Sequence, residues 1–225
     1  MIHRTAQRPA GRTRNAPSPA AAPEYFSLIR NLAGQPGSPV IRSLGFTSSC
    51  SGEGVSTVAL QCAIAAEQLF NQPIMLVEAN TQRPSLQRAM RLERGPGFGE
   101  LLLDHEPRQQ CVQRYCDNLS VITAGSAAHS SLRRCSAESI TRTVDVLQEG
   151  QRLTIWDLPA VGQDDLALEL ASQLDGVVLV VESERVMTDV AQTAANRLRS
   201  AGARLLGAVL NKHREHVPGW LAGRL

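Results

Sequence analysis

The sequence predicts a doubly wound α/β domain in which helices cover both faces of a mainly parallel sheet. Two observations carry this prediction. Strand-like and helix-like segments alternate along the chain from residue 24 onward, which is typical of βαβ units. The strand-like segments are also continuous apolar runs, as expected of parallel strands that are buried on both faces.

The predicted elements follow one another in a regular order. A short helix over residues 24–32 precedes a β-branched, apolar strand over 40–47. A run of small residues then leads into a helix over 55–70, where apolar residues recur at helical spacing. Further strands are predicted over 74–77, 119–123, 153–156, 177–181 and 205–210, and further helices over 137–148, 166–173 and 188–201.

Length and composition restrict the class of protein. The chain has 225 residues, 43% of them hydrophobic, with 23 basic and 21 acidic residues. This composition fits one α/β domain with a sizeable core and excludes a fibrous or wholly disordered chain. The apolar runs are far shorter than the roughly 20 residues that cross a membrane. The net charge of +2 gives no indication of nucleic-acid binding.

The two ends of the chain differ from the middle. Residues 1–23 are rich in Arg, Pro and Ala, contain no acid and lack apolar periodicity, so we expect a disordered tail. This tail either stays solvated or contacts anionic lipid, where each basic residue contributes about 1 kcal/mol. Residues 24–225 are expected to form one domain. Trp220 and Leu221 are too few for a membrane-binding helix, so we expect them to dock onto the domain or a partner.

The numbers of cysteine and lysine residues restrict the kinds of site that the chain can form. The five cysteines are scattered and form no Cys-x-x-Cys pair, which favours a reducing cytoplasm over a disulfide framework or a zinc site. All basic residues except Lys212 are arginine. A phosphate site that depends on lysine therefore has a single candidate in the whole chain.

A phosphate-binding loop is predicted between the first strand and the helix that follows it. Residues 47–57 read Thr-Ser-Ser-Cys-Ser-Gly-Glu-Gly-Val-Ser-Thr. The glycines let backbone N–H groups point at a phosphate, and the helix N-terminus adds partial positive charge. The usual signature ends Gly-Lys-Ser/Thr, with the lysine on the β- and γ-phosphates and the hydroxyl on magnesium. Here Ser56 keeps the hydroxyl, but Val55 replaces the lysine.

With this loop and the motifs after it, the chain resembles the bacterial tyrosine autokinases of capsule and exopolysaccharide operons, within the MinD/ParA-like group of P-loop proteins. That family reads roughly Ser-Ser-x-x-Gly-Glu-Gly-Lys-Ser-Thr at the loop. Its next motif, an apolar strand followed by Asp-x-Asp and Arg-Arg-Pro, corresponds to residues 74–84. Further motifs correspond to residues 96–102, 121–125, 155–160 (the Walker B strand), 175–176 and 209–212. The resemblance extends from about residue 24 to 212.

The resemblance implies a P-loop NTPase-like fold and a role for individual residues. It places nucleotide binding, in degenerate form, at Gly52, Glu53, Gly54, Val55, Ser56, Thr57, Arg83 and Asn211. It places the catalytic positions at Glu78, Asn80 and Asp157, and magnesium, if it binds, at Ser56, Glu78 and Asp157. The family's ring-assembly helix, Glu-x-x-Arg-x-x-Arg, corresponds to Glu24, Ser27 and Arg30. A purely structural role stays open for Gly52 and Gly54 as a tight turn, for Asp157 as a hydrogen-bond acceptor and for Asn211 as a turn residue.

The departures from the family pattern argue against catalysis. At the positions of the two acids of the family's second motif this chain has Glu78 and Asn80, and Asn80 cannot accept a proton as a base at neutral pH. By resemblance Lys212 stands where the family contacts the base, so we do not expect it to reach the γ-phosphate. Because phosphoryl transfer depends on positioning and on charge neutralisation, losing the lysine and an acid should slow it on the order of 10³-fold or more. The family's tyrosine-rich tail is also missing, since the only tyrosines are Tyr25 and Tyr115.

The function predicted from these residues is that of a non-catalytic or weakly active tyrosine-kinase-like subunit that regulates or scaffolds exopolysaccharide biosynthesis and export. By resemblance, its partner is a Wzz-like inner-membrane polysaccharide co-polymerase or a kinase homologue, in a homo- or hetero-oligomer. The expected location is cytoplasmic and peripheral to the inner membrane. No cofactor is expected, and ATP, ADP and Mg²⁺ would be residual ligands only.

Two alternatives remain at this stage. The first is an active ATP-dependent protein tyrosine kinase or ATPase of the same pathway that uses an unusual set of residues. The second is a MinD/ParA-like positioning protein. That group has an additional lysine early in its loop, which Ser49-Cys50-Ser51 does not provide.

Overall fold

The computed structural model describes residues 20–33, 40–127, 129–132 and 135–212. Its strands are β1 (Ser43–Ser48), β2 (Ile74–Glu78), β3 (Val112–Arg114), β4 (Leu119–Ile122), β5 (Leu153–Asp157), β6 (Gly176–Glu182) and β7 (Leu205–Asn211). They form one sheet in the order β3-β4-β2-β5-β1-β6-β7. Every neighbouring pair is parallel except β3 with β4.

Nine helices connect these strands within the described residues. Four of them are short. The helices are α1 (Pro23–Ala33), α2 (Val55–Phe70), α3 (Leu86–Ala89), α4 (Phe98–Leu102), α5 (Arg108–Cys111), α6 (His129–Leu132), α7 (Ala137–Gln148), α8 (Asp165–Gln173) and α9 (Thr188–Ser200). None of them is both long and apolar enough to cross a bilayer.

The sheet separates two apolar clusters, and the alternation of side chains along β5 shows this directly. Ile155 belongs to the cluster under α1 and α2, whereas Trp156 belongs to the cluster on the opposite face. All five residues of β5 are buried, because a central parallel strand has helices above and below it. The doubly wound α/β fold predicted from the sequence is therefore confirmed.

The predicted strands and long helices are all present, and the differences lie at their ends and in the shortest elements. The first strand begins at Ser43 rather than at residue 40, and Val40 is 68% exposed. Packing at the N-terminal side begins before the predicted boundary at residue 24, since Ala21 is buried and α1 starts at Pro23. The antiparallel strand β3 and helices α4 to α6 were not predicted.

This topology brings three strand ends to one place. The carboxyl ends of β2, β5 and β1 are adjacent in the sheet, with Asp157 opposite Glu78 on one side and Phe46 on the other. In open parallel sheets, ligands bind at the carboxyl ends of the strands. The predicted phosphate loop follows β1 at this edge, so the fold places the loop and the motif acids together.

Candidate functional site

The loop between β1 and α2 has the backbone conformation that its glycines permit. Gly52 and Gly54 are in the left-handed region, with φ of 91° and 95°, which side chains rarely adopt. A Cβ atom on Gly54 would also collide with the side-chain nitrogen of Asn211. Glycine at this position is therefore required by both the backbone and the close approach of β7.

Glu53 holds the loop in shape from the inside. Its carboxylate is 1% exposed and accepts hydrogen bonds from the Ser49 hydroxyl (3.0 Å) and the Cys50 N–H (2.6 Å) through Oε1. Its Oε2 accepts the N–H of Glu182 at the end of β6 (2.9 Å). Glu53 was predicted as a nucleotide contact, but its side chain is committed to the protein.

The end of β7 closes over the loop. Asn211 donates its side-chain amide to the Glu53 carbonyl (2.8 Å). Lys212 donates its ammonium group to the Gly52 carbonyl (2.8 Å) and to Glu182 Oε2 (3.1 Å). Arg185 also pairs with Glu182 (2.7 Å), and its hydrogen bond, together with that of Lys212, holds the pKa of Glu182 below its usual range. The single lysine of the chain thus contacts the loop backbone.

A cavity of about 380 Å³ lies over the loop. Seven of the residues predicted to form the nucleotide and catalytic site line it: Gly52, Gly54, Val55, Ser56, Thr57, Asn80 and Arg83. Ser85 and Lys212 also line it; the resemblance placed Lys212 at the nucleotide base, whereas nothing in the sequence assigned Ser85 to the site. The cavity's two cationic side chains among the described residues are Arg83 and Lys212.

Glu78 is not among the residues that line this cavity. Its Oε1 accepts the backbone N–H groups of Ser85 (2.5 Å) and Leu86 (2.7 Å). Its Oε2 accepts the N–H of Ala124 (3.1 Å), which follows β4. The side chain is fully buried, so Glu78 connects three chain segments. As a magnesium ligand, the role that the resemblance implied, it would have to give up these bonds.

Asp157 is the opposite case, a buried acid to which no backbone N–H group of the described residues donates. Both carboxylate oxygens are buried and no described group bonds to them. Burial raises the pKa of Asp157 to about 7; the nearby Ser56 hydroxyl lowers it and the charge of Glu78 adds to the rise. An unpaired buried carboxylate is costly unless it is protonated or holds a cation.

The donor set fits a magnesium ion only in part. Ser56 and Asp157 are the hydroxyl and the orphaned carboxylate that such an ion requires, and when bound it would neutralise phosphate charge. Glu78 does not contribute, and Val55 offers only carbon atoms. Asn80 accepts the N–H of Arg83 (3.2 Å), a turn contact rather than a catalytic one. No cluster of three or more metal-ligating side chains occurs in the described parts of the chain.

Glu100 explains two further motifs that the sequence singled out. Its carboxylate accepts the N–H of Gly97 (2.9 Å) and both the N–H (2.8 Å) and the hydroxyl (2.7 Å) of Ser126. Burial raises the pKa of Glu100, but these hydrogen bonds outweigh burial and hold it below its usual range. A Cβ atom on Gly125 would collide with this carboxylate. Residues 96–102 and 121–125 therefore form a structural junction.

The predicted assembly residues share one exposed face of α1. Glu24, Ser27 and Arg30 are all exposed, whereas Ile29 on the other face is fully buried. Spacing of three residues places them along one side of the helix. The structure therefore brings these three residues together on α1, an element separate from the phosphate-binding loop.

The chain was compared with proteins of known family and structure. No family model matches it. It is 27% identical over 199 residues to the tyrosine-protein kinase YwqD of Bacillus subtilis, a match covering 86% of this chain and 84% of the relative. Its homologues are bacterial tyrosine-protein kinases. Another is CpsD of Streptococcus agalactiae, 23% identical over 206 residues, with 86% and 85% of the two chains covered.

Solved structures agree with this assignment. The chimerical protein CapA2B2 superposes with a TM-score of 0.76 at 26% identity, covering 85% of this chain and 84% of that one. The septum site-determining protein MinD of Pyrococcus horikoshii, complexed with Mg-ADP, gives a TM-score of 0.65 at 16% identity and covers 80% and 75%. The second match shows the P-loop fold alone.

Proposed function

We propose that this protein is a non-catalytic, tyrosine-kinase-like subunit that regulates or scaffolds exopolysaccharide biosynthesis and export. The main support for the proposal is the set of hydrogen bonds that the Glu78 carboxylate accepts. At the position of the first acid of the family's second motif, both carboxylate oxygens accept backbone N–H groups. The acid has become part of the fold, so it is not available to metal or substrate without local unfolding.

The residue at the lysine position supports the same conclusion. Val55 is 8% exposed and packs in the apolar cluster under α1 and α2. It brings no charge to the phosphates, and Lys212 is held by Gly52 and Glu182. Phosphoryl transfer without a positioned cation loses most of its electrostatic stabilisation.

Partners and location are part of the proposal. The homologues are tyrosine-protein kinases, and by resemblance such proteins work with an inner-membrane polysaccharide co-polymerase. The exposed face of α1, with Glu24 and Arg30 of the assembly motif retained, supports contact with a co-polymerase or a kinase homologue. We place the protein at the cytoplasmic side of the inner membrane, with no nucleotide cofactor needed for its action.

One observation favours a second candidate, an active kinase with an unusual site. Asp157 is an unpartnered, fully buried carboxylate, and Ser56 keeps the hydroxyl that holds magnesium in P-loop proteins. Arg83 lines the same cavity and is exposed, and unlike Lys212 it is not held by Gly52 and Glu182, so it is the candidate for a substitute cation. This candidate requires tight nucleotide binding, which the first does not.

Binding of ATP is expected to be weak or absent. Calorimetry with ATP and Mg²⁺ measures it directly, and we expect no saturation in the micromolar range, because no free lysine faces the loop cavity. Replacing Val55→Lys should restore measurable binding, by about tenfold or more, whereas Val55→Met, of similar length and without charge, should not. A low-micromolar dissociation constant for the unmodified chain would favour the active-kinase candidate.

The purified protein is not expected to phosphorylate itself. Tyr25 and Tyr115 are the only tyrosines; both are partly buried against the apolar cluster under α1 and α2, and burial raises the pKa of Tyr25. Mass spectrometry of protein co-produced with its partner should find both unmodified. Phosphate on either tyrosine that disappears in Asp157→Asn would instead establish an intrinsic kinase activity.

A further inference from the structure

A short segment after β2 carries most of the unbalanced positive charge of the domain. Residues 83–94, which we call the arginine segment, contain one acid, Glu93, and four basic residues: Arg83, Arg88, Arg91 and Arg94. The rest of residues 24–212 has thirteen basic and nineteen acidic residues. A basic surface is therefore concentrated on a domain that is otherwise acidic.

The four arginines of this segment are free to meet an external anion. All four are exposed, and within the described residues none of their side chains forms an ion pair or a hydrogen bond. Other arginines of the described ranges do pair with a carboxylate: Arg114, Arg142, Arg185 and Arg197. Exposed cations without counter-charges attract and orient oppositely charged partners.

The arginine segment lies between two cavities at the carboxyl edge of the sheet. Arg83 and Ser85 line the cavity over the phosphate-binding loop. Gln87 and Arg94 line a second cavity of about 590 Å³, whose other wall includes residues 123–126 at the end of β4. An extended chain that follows the segment would therefore meet a cavity near each end.

Hydrogen bonds and packing fix the backbone of the arginine segment. Glu78 accepts the N–H groups of Ser85 and Leu86 through one carboxylate oxygen and that of Ala124 through the other, which holds the segment beside the end of β4. The side chains of Leu86 and Met90 are buried in the cluster under α1 and α2. A surface that is already ordered loses little entropy on binding.

We propose that the arginine segment binds an acidic, extended segment of a partner protein, whose carboxylates pair with Arg88, Arg91 and Arg94. The planar guanidinium group donates two parallel hydrogen bonds to a carboxylate, and the two cavities offer space for side chains of the bound segment. This contact goes beyond the proposed function, because it lies on a surface other than α1 and does not depend on the absence of catalysis.

An anionic membrane fits this surface less well than an acidic peptide. Among the described residues the exposed large apolar side chains are Val40, Met187 and Leu210, and none of them belongs to the arginine segment. The segment therefore has no large apolar group to insert between lipids. An anionic bilayer would also repel the acidic remainder of the domain, whereas a peptide contacts the segment alone.

A nucleic acid lacks the contacts that it needs on this segment. Residues 83–94 contain no aromatic side chain on which a base could stack. The acidic remainder of the domain also opposes a long phosphate backbone. A short run of carboxylates is the anion that matches both the charge and the extent of the segment.

Fluorescence anisotropy with a labelled peptide of alternating glutamate and glycine tests the proposal on the full chain. We expect the triple variant Arg88→Gln/Arg91→Gln/Arg94→Gln to bind this peptide about tenfold more weakly than the unmodified chain. The arginines of residues 1–23 are present in every form, so they do not affect the comparison. No binding of the peptide to the unmodified chain at low salt would overturn the proposal.

A matched variant separates this site from a general effect of charge. Arg42→Gln/Arg199→Gln/Arg204→Gln also removes three exposed arginines and should bind the peptide as the unmodified chain does. Equal weakening in the two triple variants would overturn the proposal by assigning the binding to net charge. If the first triple variant lost binding only to vesicles of phosphatidylserine and phosphatidylcholine, the surface would be a membrane contact and the proposal would be wrong.

A measurement on the unmodified chain needs no variant to fold. Phenylglyoxal modifies accessible arginines, and mass spectrometry locates the modified residues. With the glutamate peptide at saturation we expect Arg88, Arg91 and Arg94 to lose reactivity, while Arg199 and Arg204 react as before. Unchanged reactivity of the three arginines of the segment would contradict the proposal.

Discussion

Glu78→Ala is expected to lower the free energy of unfolding by about 3–5 kcal/mol. The carboxylate is fully buried and accepts the N–H groups of Ser85, Leu86 and Ala124. Its removal leaves three donors without an acceptor at a junction of β2, α3 and the segment after β4. Urea denaturation at pH 7 measures the loss.

Two matched variants separate this structural role from a catalytic one. Glu78→Gln keeps the shape and one acceptor oxygen, so its loss should be smaller than that of Glu78→Ala. Glu78→Asp restores the residue of the kinase family but shortens the side chain by one methylene, and it should destabilise without creating activity. A loss below about 1 kcal/mol for Glu78→Ala would show that the carboxylate does not bind these amides in solution.

Asp157→Asn is expected to raise the free energy of unfolding, whereas Glu78→Ala lowers it. In the fold the pKa of Asp157 is raised by burial to about 7 from an ordinary value of 3.8. Above pH 7 Asp157 is charged in both states. In the folded state this charge is buried, whereas in the unfolded state it is solvated by water. Because each pKa unit corresponds to about 1.4 kcal/mol, and because the asparagine amide is itself buried, we expect a gain of roughly 2–4 kcal/mol at pH 8.

The pH dependence identifies the cause of this gain. As the pH falls from 7 towards 3.8, the folded protein takes up the proton before the unfolded chain does, so the penalty shrinks. Below that range Asp157 is neutral in both states, and the variant should lose its advantage. Denaturation curves in metal-free buffer between pH 4 and 8 provide the test. A gain that is constant with pH would assign the effect to something other than the charge.

Much of the fold was predictable because its elements have strong local signals. Helix α2 has the predicted bounds, since Gly54 precedes it in a left-handed conformation and Asn71 ends it in another. Strand β3 and helices α3 to α6 have three to five residues each, too few for a periodic pattern. Their position depends on tertiary contacts such as those of Glu100.

The residues of the site were predictable from the sequence, but the contacts that each side chain makes were not. The sequence identified the loop, the valine at the lysine position, and Glu78 and Asn80 at the positions of the family's two acids. It could not show that the Glu78 carboxylate is bound by backbone N–H groups, because these partners lie up to 46 residues away. Lys212 contacts Gly52 across 160 residues of sequence, and they come together because β6 pairs in parallel with both β1 and β7.

We propose that the protein acts through its shape and contacts, and polysaccharide export by cells that lack the chromosomal copy of its gene measures whether it does. Cells supplied with Asp157→Asn, the variant expected to be more stable, should export nearly as much polymer as cells with the unmodified protein. Arg30→Glu, on the exposed face of α1, should reduce export, whereas Arg199→Glu on α9, a matched charge reversal, should not. Loss of export in Asp157→Asn, with the protein folded and abundant, would contradict the account by showing that nucleotide chemistry is required.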